Sequence, residues 1–427
     1  MSALIIFALL TFLMLSGMPV SISLGLTVLT FLFAFTTTPL DAVALKLFTG
    51  IEKFEIMAIP FFILAGNFLT HGGVAKRMIH FATSMVGHLR GGLGLSAVFA
   101  CALFAAVSGS SPATVVAIGS ILLPAMVRAG YPRKFGVGVI ASSGGLGILI
   151  PPSIVMVMYA VSTNSSIGAL FMAGVIPGLL LALMLGLCTW WVAHKGNYPR
   201  EQPMPWAQRW EAFRKAIWGL LLIVVVMGGI YSGLFTPTEA AAMSAVYAFF
   251  IAVFVYKDIG LKDVPRVLLN SANMSAMLLY IITNAVLFSF ILTNEQIPQS
   301  IAEWLTHSGV GVIGFLIAVN ILLLVMGSFM EPSSIILITA PILFPIAMKL
   351  GIDPIHFGIM ITVNMEIGMI TPPVGLNLYV ASGIAKMGLT DCSKAVMPWL
   401  LTMLAYLMII TYVPAITTWL PTALGMM

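Results

Sequence analysis

Apolar runs of roughly twenty residues recur from one end of the chain to the other, which fits helices crossing an approximately 30 Å hydrocarbon core. The short alternating segments of a membrane barrel are missing. The first run covers residues 3–15 and ends at Ser16-Gly-Met-Pro19; a second extends to Phe35. Residues 36–55 are mixed and polar, and a third helix is expected over 56–69. Residues 71–92 carry Lys76, Arg77 and Arg90, with Val74, Met78, Phe81 and Met85 at helical spacing. That pattern predicts a helix lying in the membrane interface.

Residues 93–127 form one long apolar stretch broken at Ser108–Ser111, and each half is too short for a comfortable crossing. Basic residues flank it on both sides, with Arg90 before and Arg128, Arg133 and Lys134 after. The spacing therefore predicts a re-entrant hairpin. Residues 135–161 form a crossing interrupted at Pro151-Pro152, and 169–191 cross back. Residues 196–215 read as a basic cytoplasmic linker in which Trp206, Trp210 and Phe213 share one helical face at headgroup level.

The second half repeats this plan. Ser16-Gly-Met-Pro19 has a counterpart in Ser232-Gly-Leu-Phe-Thr-Pro237, and Asn67 resembles Asn284. Pro112 precedes Pro332 by 220 residues; Gly130 and Gly351, Pro151 and Pro372, and Pro177 and Pro398 are each 221 apart. Two units follow, 1–195 and 216–427, the second with a hairpin over about 310–348 and a broken helix over about 357–380. The segment before the first hairpin is basic, whereas residues 293–309 carry Glu295 and Glu303 and no Lys or Arg. By the positive-inside tendency the two segments lie on opposite faces, and an odd number of crossings per unit inverts the second copy. The fold class is an all-α polytopic membrane protein built as an inverted repeat, with two re-entrant hairpins, two broken helices and both termini outside.

Breaks inside a membrane cannot face lipid, because freed N–H and C=O groups find no water there. They line a shared cavity. In Ser110-Ser-Pro112, proline suits the first turn of a half-helix and Ser111 is placed to cap it. Such an N-terminus carries partial positive charge and suits a carboxylate. Ser108, Ser110 and Ser111 supply hydroxyls, and Glu331-Pro-Ser333-Ser334 repeats the device. Asn67, Asn284 and Asn377 are further candidates, with helix–helix bonding as the plain alternative. Glu331 reads as a substrate, cation or proton contact or, more simply, as a helix cap. Glu366 is a weaker candidate of the same kind. The double prolines leave carbonyls on the preceding turns unbonded. Each hairpin tip with its facing break thus forms a candidate Na⁺ site: Ser108 and Gly109 with Gly147, Ile150 and Pro151, and Gly327 and Ser328 with Gly368, Ile370 and Thr371.

Composition excludes the soluble classes: 60% of residues are hydrophobic and 8% charged, with mean hydropathy +1.09, against about 25% charged in soluble domains. The net charge of +5 reflects basic loops on one side rather than nucleic-acid binding. The N-terminus lacks a basic leader and cleavage site and is expected to be the first membrane helix. Cys101, Cys188 and Cys392 stand singly, so no cysteine metal site or disulfide framework is indicated. Gly109-Ser-Ser-Pro-Ala113 lacks the strand–turn–helix context of a nucleophile elbow, and no histidine is placed to act as its base. A channel would need a continuous polar lining. The readings point to a transporter with no cofactor other than Na⁺ as coupling ion.

Gly109-Ser-Ser-Pro-Ala-Thr-Val-Val-Ala-Ile-Gly119, Gly147-Ile-Leu-Ile-Pro-Pro-Ser153, Gly327-Ser-Phe-Met-Glu-Pro332, Pro341-Ile-Leu-Phe-Pro345 and Thr371-Pro-Pro-Val-Gly-Leu-Asn377 together resemble the large membrane subunit (DctM) of TRAP transporters, the tripartite ATP-independent periplasmic systems. The resemblance covers essentially the whole chain. It implies an elevator-type carrier in the bacterial inner membrane that imports organic acids with Na⁺. It also implies two partners: a small, DctQ-like membrane subunit, expected as a separate chain, and a DctP-like periplasmic binding protein. Family members often carry Asp where this chain has Glu331. A stand-alone Na⁺/carboxylate carrier of the same architecture is the other reading.

Overall fold

The structure, a computed structural model, describes residues 2–36, 39–307 and 311–426. Positions 1 and 427, the expected outer ends of the two repeats, and position 310, the expected start of the second hairpin, lie outside the described residues.

The first half opens with α1 (Ser2–Leu15), α2 (Val20–Phe35) and a short α3 (Leu40–Thr49); a tight helical turn at Phe54–Met57 leads into α4 (Ala58–His71), and α5 (Val74–Val86) follows. Then α6 (Gly92–Ser108) and α7 (Ser111–Arg128) form a hairpin. Next, α8 (Arg133–Ser143), α9 (Leu146–Leu149) and α10 (Ile154–Thr163) make one interrupted helix, and α11 (Ile167–Lys195) is a long crossing. The second half runs through α12 (Trp206–Tyr231), α13 (Pro237–Phe250) with a widened extension at Ile251–Val255, α14 (Val264–Asn294) and α15 (Ile297–His307). Its hairpin is α16 (Val312–Gly327) with α17 (Pro332–Lys349), its interrupted helix α18 (Pro354–Gly368) with α19 (Leu376–Ala385), and α20 (Leu389–Tyr412) and α21 (Ala415–Ala423) close the chain. Among the described residues eight helices are long and apolar enough to cross a membrane, or nine with α8–α10 taken as one bent span. The chain is a multi-pass membrane protein.

Local signals set these elements. The repeated Ser-Gly turns before α2 and α13 both place their glycine in the left-handed region, Gly17 at φ +85° and Gly233 at φ +70°, where a side chain would be strained. Helix α13 then starts with a capping box: Thr236 accepts from the Glu239 N–H while the Glu239 carboxylate accepts from the Thr236 N–H at 2.8 Å. Helix α18 is capped by Asp353, which accepts from the Ile355 and His356 N–H groups at 2.9 Å, with Pro354 in the first turn.

Two sequence expectations need correction. Residues 36–55 are not simply polar connection, because α3 occupies half of them; its Asp41 and Lys46 hid a short helix that sits on α14. Where α14 runs unbroken for 31 residues, the first half splits the corresponding crossing at 50–53. The second correction concerns the linker expected over 196–215. It ends at Pro205, because Trp206, Trp210 and Phe213 already belong to the continuous α12. Their helical spacing was read correctly, but Arg209 between them and Arg214 and Lys215 just after disguised the start of a crossing.

The interrupted helices form the centre. Every residue of α18 from Ile355 to Gly368 is buried, as are residues 135–149 of α8 and α9. A helix apolar on all sides belongs inside a bundle. The two repeats exchange partners around this centre: α7 packs on α19, and α17 packs on α10. Such reciprocal packing is what a two-fold relation between the halves produces. Lys53, in the gap of the split crossing, reaches across to the end of α10, where its Nζ donates to the Val161 carbonyl at 2.8 Å and to Asn164 Oδ1 at 2.7 Å.

Candidate functional site

Both hairpin tips and both helix breaks face one cavity of about 380 Å³. Its polar lining is Ser110, Ser111, Glu331 and Ser333; its walls include Ile63 of α4 and Met274, Met277 and Leu278 of α14. Among the described residues that line it, none is Lys, Arg or His.

The first tip turns at Gly109, with φ +61°. Ser110 is extended and stands as the N-cap residue of α7, but no side chain bonds back to the first turn. Ser111 is therefore not the cap expected from the sequence. It is the first helical residue, and its Oγ accepts from Asn377 Nδ2 at 2.7 Å. The first-turn N–H groups of α7 have no acceptor within their own helix, and no carboxylate of the tip is nearby to supply one. Ser108 turns into the hairpin instead, its hydroxyl paired with Thr114 at 2.8 Å, while Thr114 donates to the Ser110 carbonyl at 2.8 Å.

The second tip differs in charge. Glu331 is the N-cap of α17, accepting from the Ser334 N–H at 3.4 Å, the Ser334 hydroxyl at 3.4 Å and the Ser333 hydroxyl. It is both a helix cap and a cavity residue. Its carboxylate already occupies the positive end of α17, so the two tips offer opposite chemistry: an open helix N-terminus on α7 and an acidic group on α17.

Each tip abuts its break closely. A Cβ at Gly147 would lie 2.6 Å from the Ser110 carbonyl oxygen and 2.8 Å from Thr114 Oγ1, and one at Gly109 would lie 3.0 Å from the Pro152 carbonyl oxygen. Oxygens of Ser110, Pro152, Ser108 and Thr114 thus gather between tip and break. In the second repeat Gly327 and Gly368 meet backbone to backbone, since a Cβ at Gly327 would stand 2.9 Å from Gly368 Cα. Gly375, at φ +52°, donates to the Ser328 carbonyl at 3.0 Å, and its Cα faces the Met369 and Thr371 carbonyls. These oxygen clusters are the kind of donor set that holds a hard monovalent cation. Pro151-Pro152 and Pro372-Pro373 are both cis.

The structure gathers only some of the expected residues. Asn377 does not line the cavity; fully buried, it donates to Ser111 and, at 3.3 Å, to the Ala141 carbonyl. Asn67 donates to Ser271 Oγ at 2.8 Å between α4 and α14, and Asn284 donates to the Tyr280 carbonyl with its Oδ1 against Gly25. Neither lines the cavity. A lone amide in an apolar helix is more readily satisfied by a neighbouring helix. Ile150 and Pro151 line an apolar groove with Ala106 and Met172 rather than the cavity. Ile370 donates back into its own helix, as do the N–H and hydroxyl of Thr371, while the Thr371 carbonyl stays in the oxygen cluster at Gly375. Thr114, Pro152 and Gly375 were missed, whereas the Met369 carbonyl belongs to the turn expected to be left unbonded; for Gly375 the signal was present, a glycine two residues beyond a double proline.

Asn377→Leu is expected to lower stability by about 1–3 kcal/mol, because it leaves Ser111 Oγ and the Ala141 carbonyl without their donor. Thermal unfolding of the purified protein in detergent checks this.

The family model described as "Tripartite ATP-independent periplasmic transporter, DctM component" matches residues 7–416. A C4-dicarboxylate TRAP transporter large permease protein DctM from Rhodobacter capsulatus is 71% identical, with 100% of each chain covered. The protein of the same description from Pseudomonas aeruginosa is 56% identical over 95% of each chain. A solved YdaH transporter from Alcanivorax borkumensis, described as having an unusual topology, superposes with a TM-score of 0.63, at 17% identity over 88% of this chain and 89% of that one. It shares the fold.

Proposed function

The chain belongs to the DctM family of TRAP large permeases, and from that premise we propose that it carries out Na⁺-coupled import of a C4-dicarboxylate handed over by a periplasmic binding protein. The observation that carries this reading is the charge of the cavity. It holds one acid, Glu331, two helix N-termini and no basic side chain among its described lining residues. A dianion entering such a space needs accompanying cations, because buried like charges without partners are strongly disfavoured. The oxygen clusters at the two tip–break contacts supply places for Na⁺ on either side of the substrate.

One substrate carboxylate then rests on the open N-terminus of α7 beside Ser110 and Ser111. The nearby Na⁺ ions offset the second carboxylate and Glu331. Transport carries the hairpins and interrupted helices as a body past α1–α4 and α12–α14, which contribute the apolar wall of Ile63, Met274 and Met277. That motion breaks the Lys53 link to the end of α10. A small membrane subunit braces the static part. The positive-inside tendency supports an orientation with the basic segment around Lys76, Arg77 and Arg90 in the cytoplasm and both termini in the periplasm.

The test is uptake of radiolabelled succinate into proteoliposomes holding the chain with its small subunit and supplied with the binding protein. Uptake is expected to require an inward Na⁺ gradient and the binding protein. Equal uptake with choline in place of Na⁺, or undiminished uptake without the binding protein, would overturn the reading.

A further inference from the structure

Away from the cavity, α11 and α20 hold between them a groove with a charged rim that the transport reading leaves unused. The two helices run antiparallel and are pinned twice on their buried side: Trp399 Nε1 donates to Thr189 Oγ1 at 2.9 Å, and the Tyr406 hydroxyl donates to the Pro177 carbonyl at 2.7 Å. On the outer side a groove of about 590 Å³ remains, lined by Met184, Leu187 and Trp191 of α11 and by Met397 and Leu401 of α20. Leu187, Trp191, Met397 and Leu401 are exposed. None of the described lining residues carries a charge.

The charge sits at one end of this groove. Lys195 follows Trp191 by one helical turn, and its Nζ lies over the Trp191 ring, 5.5 Å from the centroid. Lys394 precedes Met397 by three residues, so it stands on the groove face of α20. Counted from the Thr189–Trp399 pin, Lys195 lies six residues on and Lys394 five residues back, about 9 and 8 Å along the two helix axes. Because the helices are antiparallel, both lysines reach the same level. Among the described residues neither is in an ion pair; Asp391, the acid nearest Lys394 in sequence, is bonded to Lys134 at 3.1 Å. From Lys195 to Met184 the helix covers about 16 Å, close to the roughly 15 Å hydrocarbon depth of a single leaflet. Acyl chains of any lipid fill an apolar groove in a bilayer. Two unpaired ammonium groups at its mouth add a preference for a negative headgroup.

We propose that the α11–α20 groove binds one anionic phospholipid, with its phosphate between Lys195 and Lys394 and an acyl chain lying along Leu187 and Leu401. A zwitterionic lipid brings the same tail but an ammonium of its own, which the two lysines repel. The site stands whatever solute and ion the cavity takes, because no residue is shared between the two linings.

Native mass spectrometry of the full chain, purified and delipidated in detergent, tests it by titration with phosphatidylglycerol and with phosphatidylethanolamine of the same acyl chains. One phosphatidylglycerol is expected to bind at least about tenfold more tightly than phosphatidylethanolamine. Lys195→Gln combined with Lys394→Gln, both at exposed positions, should bring the two lipids within about twofold of each other. Lys76→Gln combined with Arg214→Gln removes the same charge from exposed positions on α5 and α12 and should keep the preference. Cys188 reports on the groove itself, since it lines the groove and is partly exposed whereas Cys101 and Cys392 are buried. Phosphatidylglycerol should slow its labelling by pyrene maleimide in the wild type and not in the Lys195→Gln/Lys394→Gln protein. Equal affinity for the two lipids in the wild type would overturn the proposal, as would a preference lost equally in both double variants. Tight phosphatidylglycerol binding that leaves Cys188 labelling unslowed would put the lipid elsewhere and overturn it too. Should the lysine variant not fold, slowed labelling of the wild type by phosphatidylglycerol but not phosphatidylethanolamine supports the site, and equal slowing by both refutes it.

Discussion

Glu331→Gln is expected to cut Na⁺-dependent uptake at least about tenfold while leaving the protein within about 1 kcal/mol of native stability. The two halves of that expectation come from the two jobs the residue holds. As the N-cap of α17 it accepts from the Ser334 N–H and the serine hydroxyls. An amide oxygen can still do so, with only the favourable charge on the helix N-terminus lost. As the acid of the cavity it attracts a cation, and no other lining residue carries charge. At a separation of 4 Å and an effective dielectric near 20, one such charge pair is worth about 4 kcal/mol. A third of that suffices for a tenfold change in cation affinity, about 1.4 kcal/mol. Uptake measured against Na⁺ concentration should therefore show a raised half-saturation for Na⁺, with thermal unfolding little changed. If rate and Na⁺ dependence both stay as in the wild type, Glu331 is a cap and nothing more.

Hairpins and breaks were legible because the membrane leaves so few uses for Ser, Gly and Pro in the middle of an apolar run. Ser108–Ser111 and the double prolines could only mark places where backbone leaves the helical ladder. The 220- and 221-residue offsets then tied the two halves together. What the sequence hid was which way a polar side chain turns. Asn67 and Asn284 sit at depths that suit a cavity, yet each is spent on a neighbouring or preceding turn. Ser108 and Ser110 differ by two positions, and only Ser110 reaches the cavity, because the left-handed Gly109 between them reverses the chain. Asn377 was visible as a polar residue after a break, but its bond to Ser111 joins residues 266 apart. Contacts of that range follow from how the repeats exchange helices.

Within the tip–break contact of the first repeat, Gly147 is the position where the smallest change should do the most damage. Gly147→Ala adds one methyl group, and it would stand 2.6 Å from the Ser110 carbonyl oxygen, 2.8 Å from the Ser110 carbonyl carbon and 2.8 Å from Thr114 Oγ1. Two of these atoms are backbone of the hairpin tip, and the third is held by bonds to Ser108 and Ser110. None can swing aside as a side-chain end could. The tip must move off the break, at a strain of about 1–3 kcal/mol, and the oxygens gathered for a cation separate with it. Gly186→Ala in α11 is the matched control, because nothing lies within 4 Å of its added methyl group; there alanine should stabilise the helix by about 0.5–1 kcal/mol. Parallel measurement of melting temperature and Na⁺-driven uptake should find Gly147→Ala less stable and nearly inactive, and Gly186→Ala as active as the wild type. Normal uptake by Gly147→Ala would mean that the close seat of the first tip on its break is not where the coupling ion is held.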